Sequence, residues 1–143
     1  MSRYGRKGFT LIEFLIIIVV IAILALILIP RLLAAGRKAR EANLRGNLHQ
    51  LRSAIQQFEA DCGDYPAKLD ELMTQPAEGT NGGTDIALDV KKWQGPYLGT
   101  PDGLLPDDPF TMRADWKYDP KTGAVHSSGT WTALDRTTKY NSW

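Results

Sequence analysis

The sequence predicts an α+β fold, with one long N-terminal helix packed on a small antiparallel β-sheet. Three observations lead there. Phe14–Ile29 is an unbroken run of sixteen apolar residues. Leu44, Leu48, Leu51, Ile55 and Phe58 then recur at spacings of four and three, with Cys62 one turn further on, which is the period of a helix with one buried face. The rest of the chain is rich in turn-forming residues and carries a single clear hairpin pattern near its end.

Taken in order, residues 1–8 form a short basic stretch with Arg3, Arg6 and Lys7. Residues 9–30 contain only two polar side chains before the proline, Thr10 and Glu13. As a helix, the twenty-one residues Phe9–Ile29 would reach about 31 Å, close to the hydrocarbon thickness of a bilayer. Nine of the sixteen residues in the run are Ile or Val, mediocre helix formers in water. In lipid every backbone group must bond internally, so the helix prevails. Pro30 is an expected kink, because proline removes one helical hydrogen bond and crowds the preceding turn. Residues 31–62 continue as an amphipathic helix, with Arg45, Asn47, Gln50, Arg52, Gln56, Gln57 and Glu59 opposite the apolar stripe. Gly63 is the expected stop.

Residues 63–143 form the expected globular head. Leu69, Leu72 and Met73 suggest one short helical turn, and glycine-rich Thr74–Asp85 reads as a surface loop. Trp116 and Tyr118 fall on one face of an alternating strand. Asp119-Pro120-Lys121-Thr122-Gly123 has turn chemistry, and Ala124–Ser128 can return as a second strand. Three or so strands against the helix are expected.

The composition excludes several classes. The formal charge is +1, and loss of the three leader cations would leave −2, so there is no global basic field for nucleic acid. Cys62 is the only cysteine, so no intrachain disulfide can form, and a buried inert thiol is the expected state. His49 and His126 lack metal-ligand spacing, Asp107-Asp108 reads as a turn, and no phosphate loop or nucleophile elbow is present. An enzyme is not expected.

Glu13 is the anomaly of the apolar segment. A carboxylate there usually has a partner. Two pairings suit it: its own helix N-terminus, whose dipole favours a negative charge by about 0.3–1 kcal/mol, or a cation on another chain. A plain cleaved signal peptide fits poorly, since such apolar regions run about 7–15 residues. An uncleaved anchor is the remaining alternative.

The basic tract, the sequence Gly8-Phe9-Thr10-Leu11-Ile12-Glu13 and the charge-free run after it resemble the N-terminal signature of type IV pilins and type II secretion pseudopilins. The resemblance implies a leader, Met1–Gly8, cut between Gly8 and Phe9 by a prepilin peptidase that also N-methylates Phe9. It implies that Glu13 pairs between chains with the amine of a neighbour's Phe9 and sets the register of a helical filament. It places the leader in the cytoplasm, the helix in the bacterial inner membrane and the head outside. The partners implied are further copies of the chain, an assembly platform and minor pseudopilins or pilins. Asp64-Tyr65-Pro66, Gly95-Pro96-Tyr97-Leu98, Pro106–Phe110 and the Trp116–Tyr118 strand resemble, in that order, the head of the major pseudopilin of type II secretion. That branch commonly holds a structural calcium in its last loop. Here the loop has only Asp135 as an acid, few ligands for an ion that takes six to eight oxygens, so no cofactor is expected and aromatic packing by Trp131, Tyr140 and Trp143 is expected to pin the tail. The alternatives are an extended type IV pilus for adhesion, motility or DNA uptake and, from another class, a monomeric membrane-anchored binding protein.

Overall fold

The computed structural model describes residues 9–100 and 102–143. Met1–Gly8, including the Gly8 side of the expected cleavage point, lie outside the described residues. One helix, α1 (Leu11–Cys62), runs for 52 residues. The chain falls into two bodies, one ending at Arg37 and the other Lys38–Trp143.

In the first body, Phe14–Ile29 is helical throughout, and none of its side chains is buried within the protein. The segment is long and apolar enough to cross a membrane. Pro30 lies inside the continuous helix.

In the second body, α1 supplies one wall of the core. Leu44, Leu48, Leu51, Ala54, Ile55, Phe58 and Cys62 are all buried, as the helical spacing predicts. Gly63 ends the helix in the left-handed region (φ 89°) and its N–H donates to the Glu59 carbonyl at 2.8 Å, which satisfies a terminal carbonyl without a Cβ penalty. A 3-10 turn at Leu69–Leu72 packs two leucines into the core.

The sheet is smaller than expected. It has two antiparallel strands, β1 (Lys117–Asp119) and β2 (Ala124–His126), with Tyr118 opposite Val125. Besides these strands, the described residues form isolated bridges at Asn81–Ala87, Asp108–Arg113 and Thr132–Lys139. Gly82 and Gly83 lie within the first of these bridges and Pro109 within the second, residues that interrupt a ladder. In place of a larger sheet the head is held by side chains that bond to distant backbone. Trp116 Nε1 donates to the Pro106 carbonyl (2.7 Å), the Tyr118 hydroxyl to Pro66 (2.7 Å) and Trp93 Nε1 to Glu71 (3.2 Å).

The segment 74–85, read as a plain surface loop, is fastened down. Its Gly83 N–H donates to the Tyr65 carbonyl at 2.8 Å, and a Cβ at Gly83 would fall 1.8 Å from the Pro120 carbonyl oxygen. That neighbour is backbone of the β1–β2 turn itself and yields only if the turn moves. Gly83→Ala is therefore expected to destabilise the head by about 1–3 kcal/mol, the cost of overpacking, readable as a lowered unfolding midpoint. Gly79→Ala, with open space around its Cβ and only its positive φ against it, is the milder control.

Candidate assembly site

The first polar constellation lies at the start of α1. The Thr10 N–H and hydroxyl both donate to Glu13 Oε2, at 2.8 and 2.9 Å, and the Glu13 N–H donates back to Thr10 Oγ1 at 3.3 Å. This is a reciprocal capping box, in which a threonine N-cap and a glutamate three residues on satisfy each other's backbone donors. The sequence Thr10-Leu11-Ile12-Glu13 carries its signature, so the threonine was legible although it was not singled out. Both contacts to the carboxylate use Oε2. Glu13 Oε1 has no hydrogen-bond partner among the described residues, and Phe9, one turn away, is 79% exposed. One carboxylate oxygen thus closes its own helix while the other faces outward.

The second constellation ties the tail of the head to α1. Glu41 sits three residues before Leu44 on the same face of the helix and is 7% exposed. Its Oε1 pairs with the Arg45 guanidinium at 3.1 Å and its Oε2 accepts from the Leu134 N–H at 3.2 Å. The Arg45 guanidinium lies 4.5 Å from the centre of the Trp143 ring. Trp143 meets Tyr140 edge-on at 5.1 Å, and Tyr140 stacks on Phe110 at 4.2 Å. His126 Nδ1 lies 2.5 Å from the Trp143 carbonyl oxygen. Aromatic packing pins the tail, as expected, but the buried carboxylate beneath it was missed. The 41–44–48 spacing was the available signal.

Two further carboxylates were also missed. Asp108 is fully buried; its Oδ1 accepts from the Phe110 N–H at 2.8 Å and its Oδ2 from the Ser127 hydroxyl, which in turn accepts from the Gly129 N–H. Asp107, its neighbour, is exposed, so the two acids form a turn and share no site. Asp64 is 5% exposed and accepts from the N–H groups of Tyr65 (2.8 Å) and Thr84 (3.0 Å). Burial pushes the Asp64 carboxyl up, but hydrogen bonds from Thr84, Tyr65 and Ile86 outweigh it and hold the group below the ordinary carboxylate range. A depressed folded pKa gives stability that is fully present above the unfolded value, near 3.9, and is lost as pH falls through the folded value. Acid unfolding of the head is thus expected below about pH 4, and Asp64→Asn is expected to flatten that limb of the pH–stability curve.

Asp135 closes the last loop. Its Oδ1 accepts from the Thr137 and Thr138 N–H groups, both at 2.9 Å, and its Oδ2 accepts from the Thr138 hydroxyl. The Thr138 hydroxyl, then the Thr138 and Thr137 amides, bring its carboxyl down to about 2. Among the described residues no group of three or more His, Cys, Asp or Glu side chains is placed to share a metal ion. Cys62 is buried and unpaired, and burial raises its thiol above the ordinary range, which keeps it protonated and poorly nucleophilic.

Comparison with known proteins bears on both bodies. The family description "Prokaryotic N-terminal methylation motif" matches residues 3–29. The description "Type II secretion system (T2SS), protein G" matches residues 31–130. The type II secretion system core protein G of Aeromonas hydrophila is 27% identical over 145 residues, covering 94% of this chain and 99% of that protein. Its counterpart in Xanthomonas campestris pv. campestris is 32% identical over 96 residues, 67% of this chain and 59% of that protein. The type IV wide pilus major component PilA4 of Thermus thermophilus is 38% identical over 84 residues, 59% of this chain and 64% of that protein. No solved structure matches the chain significantly. With the methylation motif on the apolar helix and the protein G match over most of the remainder, the chain belongs to the type II secretion system protein G family, a family of structural filament subunits related to type IV pilins.

Proposed function

We propose that this chain is the major subunit of a secretion filament in the bacterial inner membrane, with a structural and not a catalytic role. Met1–Gly8 is removed between Gly8 and Phe9, Phe9 is N-methylated, and the subunit is drawn from the membrane into a helical polymer. A prepilin peptidase, an assembly platform and minor subunits are its partners, and the energy for assembly comes from them. The observation that carries this reading is the pairing of a capped α1 whose apolar first half, Phe14–Ile29, is nowhere buried inside its own chain with a head matched to protein G. A helix exposing some twenty apolar side chains is stable only in lipid or among copies of itself.

At Glu13 the reading assigns both pairings at once. Oε2 caps α1, and the outward Oε1 accepts the cationic amine of a neighbour's Phe9. The mass of the N-terminal peptide of protein isolated from its own cells tests the processing step. A peptide starting at Phe9 with one added methyl is expected. A peptide starting at Met1 points instead to a monomeric anchored binding protein.

The similarity to the Thermus pilus component supports a second reading, an extended surface pilus. Deletion of the gene separates the two. Loss of secreted proteins from the medium is expected, whereas loss of surface fibres with secretion intact marks a pilus.

The last loop does not fit the calcium of the branch it resembles. Its one carboxylate is already filled by two amides and a hydroxyl, and an ion that takes six to eight oxygens finds no second acid there. Loop closure through Asp135 therefore stands in the place of a cation. Addition of a calcium chelator is expected to leave the thermal midpoint of the full chain in detergent unchanged, while Asp135→Ala lowers it. A midpoint that falls on chelation and returns with calcium would overturn this assignment.

A further inference from the structure

The head carries an acidic, apolar-tipped loop and, elsewhere on its surface, a basic cleft with an apolar floor. The loop is Asp102–Asp107. Gly103 turns it in the left-handed region (φ 64°), and the Gly103 N–H donates to the Thr100 carbonyl at 3.1 Å. Leu104 is 64% exposed, with Asp102 and Asp107 exposed on either side of it in the chain. The far end of the loop is anchored where Trp116 holds the Pro106 carbonyl and the Asn47 amide donates to the Asp107 carbonyl at 2.9 Å. A leucine held out in solvent on an anchored turn, flanked by two carboxylates, is built as a knob.

The cleft has a volume of about 310 Å³ and is lined by Arg45, Leu48, His49, Arg52 and Trp143. The half-buried Trp143 ring is its apolar floor, with Leu48 buried beneath in the core, and Arg45, His49 and Arg52 are its exposed rim. Arg45 shares its charge with Glu41 but keeps two thirds of its side chain in solvent. Among the described residues Arg52 donates only to a neutral group, the Val125 carbonyl, at 3.0 Å, and no carboxylate there pairs with its charge. Rim and floor complement the knob in both charge and polarity.

The two surfaces lie apart on the head. The loop covers the flank of α1 that carries Asn47. At 3.6 residues per turn, Arg45, Leu48, His49 and Arg52 stand about 100–200° round the helix from Asn47. A knob on one flank and its receptor on the other make a heterologous contact, which repeats copy after copy and builds an open helical array wherever the rotation between copies does not close a ring.

We propose that the Asp102–Asp107 loop of one copy docks into the Arg45–His49–Arg52–Trp143 cleft of the next, with Leu104 against the indole and the two carboxylates against Arg52 and Arg45. The proposal rests on the filament reading above and names the head-to-head contact within it.

The test uses full-length protein in cells carrying its assembly machinery, with filaments counted by electron microscopy. Arg52→Glu is expected to reduce filament yield about tenfold, and adding Asp102→Arg and Asp107→Arg to the same chain is expected to restore most of it. Rescue by reversed charges separates docking from the bond that Arg52 makes to Val125. In a second measurement, His49→Cys combined with Leu104→Cys should give a ladder of disulfide-linked multimers on oxidation, and neither single variant should. The buried Cys62 adds no background. Filaments that form from the double-cysteine chain without a ladder, or a loss in Arg52→Glu that charge reversal leaves unrestored, overturn the docking and leave the filament reading intact. Absence of filaments from the unsubstituted chain, with the protein present and processed, overturns both.

Discussion

Glu13→Ala is expected to abolish filaments while leaving the protein in the membrane. Two losses combine in this variant. The capping box with Thr10 disappears, which costs the start of α1 about 0.5–2 kcal/mol. On the proposed pairing, the larger loss lies between chains. A Phe9 amine buried among apolar helices without a carboxylate is an unpaired charge, and breaking a buried pair in this way costs about 3–5 kcal/mol. At about 1.4 kcal/mol per factor of ten, that is more than a hundredfold per contact, repeated at every subunit. Glu13→Gln tells the two roles apart. Glutamine serves a capping box nearly as well as glutamate, so a purely local role predicts normal filaments. The inter-chain pairing predicts that Glu13→Gln fails almost as completely as Glu13→Ala, because the charge is gone. Immunoblots of membrane and sheared-filament fractions read the result directly. Normal filament yield in both variants would sink the register argument.

The second large effect is on stability. Asp108→Ala is expected to destabilise the head by about 3–5 kcal/mol, since it strands the Phe110 N–H and the Ser127 hydroxyl beside a fully buried position, at about 1–3 kcal/mol for each buried donor, and leaves a cavity besides. Ser127 would also lose the partner that orients it toward Gly129. Asp108→Asn keeps a carbonyl acceptor for one of the two donors and should recover part of the loss. Asp107→Ala, one residue away on the exposed side of the same turn, should stay within about 0.5 kcal/mol of the parent. Thermal unfolding of the three full-length variants in one detergent ranks them. Equal midpoints for the Asp107 and Asp108 variants would mean that the Asp108 network contributes nothing.

The helix was legible in the sequence because its signals are periodic and local. An unbroken apolar run, a 4–3 spacing of leucines and a stop glycine place α1 within two residues at its start and at its observed end. The hairpin was legible for the same reason, since Trp116, Tyr118 and the Asp119–Gly123 turn lie within a few residues of one another. The head's other fastenings were not, because their partners are far apart in the chain. Asp64 reaches Thr84, Asp108 reaches Ser127 and Glu41 reaches Leu134. A carboxylate in a sequence looks like surface, and only the donors that fold around it reveal that it is buried. At the N-terminus the resemblance directed attention to Glu13, while the threonine that holds its carboxylate stood three residues upstream in plain view.

The bond from Leu134 to Glu41 spans 93 residues, and it has a consequence for timing. A contact so distant in the chain is the last to become available as the polypeptide emerges, and closing so large a loop is entropically slow. Until Leu134, Tyr140 and Trp143 are in place, the face of α1 around Glu41 and Arg45 stands uncovered. Completion of the head therefore waits on the pairing of segments far apart in the chain, and a partly folded head presents an open, protease-sensitive face with an unfinished basic cleft. On the docking proposed above, only a fully folded head offers the surface that the next copy recognises, so folding itself separates finished subunits from unfinished ones.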